Sequence, residues 1–155
     1  MSRFRGRFDY TIDAKGRINV PAKFRKALSP AADETFVICR GPDRGLRAYP
    51  QDAWEKFEDS LASLPSTPAT EKMARQLFST VSDSRLDSQG RIMLSPVQLK
   101  IGGITKEVTL IGRPGYIEIW DTARFNAYTG VEAGAEDGFD EAFYNSMQLG
   151  ANAHG

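Results

Sequence analysis

Short runs of alternating or strand-like residues, set between turn residues, cover most of the chain, with helical stripes in between. Arg7–Ile12 has the composition of a strand, and Arg17-Ile-Asn-Val20 alternates with period two across the polar turn Asp13–Gly16, a pattern that predicts a hairpin. The glycine supplies the positive φ such turns need, and the aspartate can cap turn amides. Pro21 ends the ladder and opens a short helix over Ala22–Leu28. Thr35–Arg40 and Leu46–Tyr49 predict a second hairpin around Gly41–Gly45. Trp54, Phe57, Leu61 and Leu64 share one face of a helix over residues 51–64. Thr67-Pro68 has the form of an N-cap and first-turn proline, opening a helix that reaches about Phe78.

The order then repeats. Val81–Leu86 and Arg91–Leu94 flank a second polar turn, and Ser95-Pro96 begins a short helix stopped by Gly102-Gly103. Val108–Gly112 and Tyr116–Trp120 predict another hairpin, followed by a helix from Asp121 to about Tyr128. Gly130–Gly138 reads as flexible and acidic. Phe139–Leu149 reads as a last helix with Phe139, Phe143 and Met147 on one stripe, and Gly150–Gly155 as a frayed end. The duplication is sharpest at the turns. Asp13-Ala-Lys-Gly-Arg17 returns in the second half of the chain as Asp87-Ser-Gln-Gly-Arg91. Leu46-Arg-Ala-Tyr49 and Trp54 return as Ile117-Glu-Ile-Trp120 and Phe125, at a slightly shorter offset that marks one small deletion between the copies. Each unit is too long for a solenoid repeat. Two half-domains around a pseudo-twofold axis are expected: residues 1–64, residues 65–130, and an acidic tail 131–155, in one compact domain. The fold class is α+β.

Composition narrows the function. The 155 residues, 41% of them hydrophobic, can bury a core, and no apolar run has the length of a membrane span. The basic start, Met1–Arg7, has no apolar segment behind it, so it does not read as a secretory signal. One cysteine, Cys39, forms no internal disulfide, in keeping with a reducing cytoplasm. The formal charge of zero conceals a gradient. Residues 1–26 hold eight Lys or Arg against Asp9 and Asp13, while from Phe125 onward there are five acids and no Lys or Arg. A basic head fits an anionic partner, although a solvated gradient is the plainer reading.

Enzyme signals are poor. The only histidine is His154, next to the C-terminus. Cys39 sits in an apolar strand pattern as a small buried hydrophobe. The chain lacks a Cys/His cluster for zinc, a phosphate-binding glycine loop and a pattern of paired carboxylates. No cofactor or metal is expected. Asp13 with Arg17, and Asp87 with Arg91, stand out. At i and i+4 across a tight turn, each aspartate can brace the guanidinium of its arginine. A braced arginine suits bidentate contact with guanine or a phosphate. A single such pair would be an ordinary ion pair contributing less than about 1 kcal/mol. Two copies, one beside Lys15 and the Arg3/Arg5/Arg7 arm, point to nucleic acid.

Phe4-Arg-Gly6, Asp13–Arg25, Leu46–Pro50 and Trp54 resemble the first half of the MraZ family. Arg75–Phe78, Asp87–Arg91, Ile101–Val108 and Ile117–Trp120 resemble its second half, so the likeness spans roughly residues 3–128. The resemblance implies a small β-barrel of two ββα-type halves, a duplicated relative of the AbrB-type swapped hairpin, with peripheral helices. It implies a bacterial, cytoplasmic and nucleoid-associated regulator of the division and cell-wall genes. Such a regulator binds repeated boxes on double-stranded DNA, its own promoter included, and its subunits form rings. Carried over by position, the DNA contacts are Asp13, Lys15 and Arg17, then Asp87 and Arg91. Gln89 replaces the lysine and removes a charge, and Arg3 and Arg5 add phosphate contacts. Val97-Gln-Leu-Lys100 departs from the Ala-Lys-Phe-Arg pattern of the first copy. Two alternatives stay open: an AbrB-like antitoxin or scaffold using the same face for a protein, and a small enzyme.

Overall fold

A computed structural model describes residues 2–130 and 139–154. The chain divides into two units, Met1–Thr122 and Ala123–Gly155. The first is α+β. Its strands are β1 (Arg7–Thr11), β2 (Arg17–Asn19), β3 (Thr35–Arg40), β4 (Leu46–Pro50), β5 (Ser82–Arg85), β6 (Arg91–Met93), β7 (Glu107–Arg113) and β8 (Tyr116–Asp121). Its helices are α1 (Ala22–Lys26), α2 (Gln51–Ala62), α3 (Pro68–Phe78) and α4 (Pro96–Gly102). Six strands form an antiparallel sheet in the order β1-β7-β8-β4-β3-β5, and β2 pairs with β6 as a separate ribbon.

The hairpins expected at β3–β4 and β7–β8 are present. Those expected at β1–β2 and β5–β6 are not. The turns close, through Asp13 N–H to Arg17 C=O at 3.1 Å and Asp87 N–H to Arg91 C=O at 3.0 Å, but the strands then part. β1 pairs with β7 and β5 with β3, so each half lends its first strand to the other half. The reason lies in burial. Ile18 and Ile92, 1% and 2% exposed, oppose one another in the ribbon and plug one common core. A local hairpin would have left each isoleucine on its own small sheet.

The pairing is two-fold symmetric in detail. Exchanging the two signature copies carries the Arg17–Met93 pair onto Arg91–Asn19. Exchanging β4 with β8 carries Leu46–Ile119 onto Ile117–Ala48. The pseudo-axis therefore runs between Ile18 and Ile92 in the ribbon and between Arg47 and Glu118 in the sheet. The core on that axis joins Phe24, Phe36, Leu46, Leu110, Ile117 and Ile119 to the two ribbon isoleucines. On the opposite face of the sheet, Val37 and Cys39 pack against Trp54 of α2 and Leu77 of α3.

Helix starts follow the sequence. Thr67 caps α3 through a capping box with Thr70, satisfying amides that lack an intrahelical partner. The departure at 97–100 has a structural use: Gln98, at the place of Phe24 in the other copy, completes a capping box with Ser95. Its buried amide also donates to Ile38 C=O, Thr80 C=O and Ser82 Oγ at 2.9–3.1 Å.

The second unit holds most of α5 (Thr122–Thr129) and all of α6 (Phe139–His154). Phe139 and Phe143 stack at 5.9 Å on the expected stripe, and the helix continues past Gly150 to His154. The expectation for the acidic stretch 131–138 lies outside the described residues. Among the described residues no helix is long and apolar enough to cross a membrane.

Candidate nucleic-acid interface

Both signature loops are built alike. Asp13 Oδ1 accepts from the amides of Lys15 and Arg17 at 2.9 and 2.8 Å, and Oδ2 accepts from Arg17 Nε at 2.6 Å. Asp87 does the same for Gln89 N, Arg91 N and Arg91 Nε, each at 2.9 Å. Each carboxylate thus closes its own turn and aims its own arginine. Both aspartates are held below the usual carboxylate value, mainly by the backbone amide of the arginine and then by its side chain. The glycine between them is required: Gly16 has φ +83° and Gly90 φ +74°, a region that side chains with a Cβ resist. A Cβ on Gly16 would lie 2.6 Å from the Leu94 carbonyl oxygen.

The ribbon sets the two loops side by side. Leu94 N–H donates to Gly16 C=O at 2.8 Å, and Val20 N–H to Gly90 C=O at 3.0 Å. Asp13 Oδ2 lies 3.7 Å from Arg91 Nη1 as well as 2.6 Å from Arg17 Nε. One carboxylate therefore reaches both guanidinium groups across the pseudo-axis. The side-chain hydrogen bond of Arg17 to Asp13 runs through Nε, which leaves the Nη edge of the guanidinium to face a ligand.

Lys15 and Gln89 occupy equivalent exposed positions on the two loops. Arg25 is a cation that the sequence patterning did not single out. It donates from Nε to Val20 C=O at 3.1 Å, and its guanidinium carbon lies 2.9 Å from where a Cβ on Gly90 would stand. The second loop thus gains from α1 of the first repeat the charge its own Gln89 lacks. The equivalent neighbour of Gly16 is the apolar Leu99. No local signal pairs Arg25 with a loop in the other half of the chain. Beside this loop opens a cleft of about 620 Å³, lined by Arg25, Ser29, Glu34, Asp87 and Ser88 among others.

Arg3 and Arg5 are exposed but pinned elsewhere. Phe4 is 2% exposed and packs edge-on against Phe24 at 5.4 Å. Arg3 bridges to Pro114, and Gly112 N–H donates to Gly6 C=O at 2.9 Å. They lie off the Arg7 end of β1, whereas Asp13 follows its Thr11 end, roughly 13 Å of strand away. The structure thus brings Asp13, Lys15, Arg17, Asp87, Gln89 and Arg91 together, and leaves Arg3 and Arg5 outside.

Cys39 is buried, and loss of solvent pushes its thiol up to about 11. No group of three or more His, Cys, Asp or Glu among the described residues could hold a metal ion.

Two successive segments, residues 3–77 and 77–145, each match the family model described as "MraZ protein, putative antitoxin-like". The chain belongs to the MraZ family. The double match also establishes the internal repeat. The chain is similar to the transcriptional regulator MraZ of two strains of Acidithiobacillus ferrooxidans, 39% identical over 142 residues that cover 88% of this chain and 94% of the relative. It is similar as well to the transcriptional regulator MraZ of Nitrosomonas europaea, 35% identical over 136 residues, covering 87% and 92%.

Proposed function

We propose that this MraZ-family chain is a cytoplasmic transcriptional regulator, not an enzyme, that binds double-stranded DNA sequence-specifically through its paired Asp-x-x-Gly-Arg loops. The observation that carries the reading is the shared geometry of Asp13–Arg17 and Asp87–Arg91, two pre-aimed guanidinium groups on one surface. An arginine held at Nε by a carboxylate loses little freedom on presenting its Nη groups to guanine O6 and N7, the commonest specific contact in the major groove. Lys15 and Arg25 supply phosphate contacts beside the loops, and Arg3 and Arg5 contact more distant phosphates. The regulator names of the relatives support this reading. The finer picture follows the family resemblance: repeated boxes upstream of the division and cell-wall genes, its own promoter among them, on the nucleoid. In that picture the sheet and ribbon are a swapped-hairpin barrel, in keeping with the palindromic strand order.

A gel shift on the DNA upstream of the chain's own coding sequence tests it. A discrete complex that resists scrambled competitor, and weakens steeply as salt rises through counterion release, is expected. Affinity that ignores both sequence and salt would move the surface to a protein partner, as in an antitoxin.

A further inference from the structure

We propose that the β2–β6 ribbon itself enters the major groove, with Asn19 and Met93 reading bases beside Arg17 and Arg91, so that the box bound by one subunit has a direction. This rests on the DNA-binding reading above and says which side chains set the sequence.

Strand side chains alternate between faces. Ile18 and Ile92 point into the core, so their neighbours point away: Arg17 and Asn19 on β2, Arg91 and Met93 on β6. The register sets Arg17 opposite Met93 and Asn19 opposite Arg91. The ribbon therefore offers a patch of four outward side chains, two of them arginines braced by the loops. The major groove admits a two-stranded ribbon. Outward residues on one strand stand roughly 6.6 Å apart, close to two base-pair steps of about 3.4 Å.

The other two side chains have the chemistry of base readers. The Asn19 amide is exposed and has no hydrogen-bond partner among the described residues. Asparagine bonds adenine N6 and N7 in bidentate fashion, and apolar side chains contact the thymine methyl. Met93 is 53% exposed. Its backbone amide donates to Ser84 Oγ at 2.9 Å, which fixes the strand while the thioether stays in solvent.

Symmetry supplies the direction. Arg17 and Arg91 exchange under the pseudo-twofold axis, so their guanine contacts alone would favour a palindrome, as in two-fold readers. Asn19 and Met93 occupy the equivalent positions with different chemistry. Lys15 against Gln89 and Arg25 against Leu99 also differ between the loops, but Asn19 and Met93 are the unlike pair on the base-reading face of the ribbon, and they fix which way round it lies.

The test is a base-preference profile: anisotropy titrations of the full chain on labelled duplexes carrying every single base-pair substitution of the bound box. Asn19→Ala should lose roughly tenfold or more of the discrimination at an A·T pair, and Met93→Ala should relax a different position. Both should keep the guanine preferences and the salt slope. The exchange variant Asn19→Met/Met93→Asn should prefer the box in the opposite orientation. Both sites are solvent-facing, and a thermal melt of each variant checks that it folds. Wild-type profiles in both folded single variants would overturn the inference. If those profiles stay sharp while Arg17→Ala loses specificity, the DNA-binding reading survives without it. A wild-type protein with no base preference overturns both.

Discussion

One aspartate oxygen orders a turn and its partner oxygen aims an arginine, so each signature works at the scale of a single carboxylate. The i, i+4 spacing and the intervening glycine made this legible, because both act within one turn. Arg25 and the 3.7 Å approach of Arg91 to Asp13 were not legible, since both depend on which strands pair across the axis. The lowered aspartates fix a pH window. Their folded-state value lies below the ordinary 3.8, so the stability they add is fully present above that pH and is lost as pH falls through the folded value. Thermal melts between pH 7 and 2 should show wild type losing more stability below about pH 4 than Asp13→Asn/Asp87→Asn. Equal losses would mean that the carboxylates do not brace the loops.

Among the elements, the turns, the α3 cap and the β3–β4 and β7–β8 hairpins followed the sequence, while the partners of β1, β2, β5 and β6 and the end of α6 did not. Arg7–Ile12 and Arg17–Val20 carry patterns that fit a local ladder as well as the exchanged one. What decides is burial of Ile18 against Ile92, which come from opposite halves of the chain and share no local window. The helix at 96–102 shows the converse. Its loss of the Ala-Lys-Phe-Arg pattern weakened the likeness to the first copy, yet Ser95 and Gln98 cap it and Gln98 ties it to β3. Gln98→Ala removes those bonds and leaves buried carbonyls without a donor, a loss of about 1–3 kcal/mol. Chemical denaturation should show the midpoint falling with an unchanged slope.

For the whole molecule, two exchanged halves place two near-identical loops on one surface. The family resemblance, together with the repeat, leads us to propose head-to-tail contact between subunits, which closes into a ring if the rotation permits. A ring would set loop pairs at regular intervals and let individually weak sites bind repeated boxes together. Light scattering at micromolar protein should therefore report a multiple of 17.1 kDa. A monomer with and without DNA would remove the ring and leave the boxes to single subunits.

The most direct test of the account is the affinity of Arg17→Ala/Arg91→Ala for the upstream duplex, measured by fluorescence anisotropy beside wild type and each single variant. Each single loss should weaken specific binding by about 1–3 kcal/mol per subunit. The double variant, folded by its thermal melt, should bind specific and scrambled duplexes alike. A folded double variant with wild-type affinity and specificity would contradict the claim that the paired loops are the DNA-reading surface.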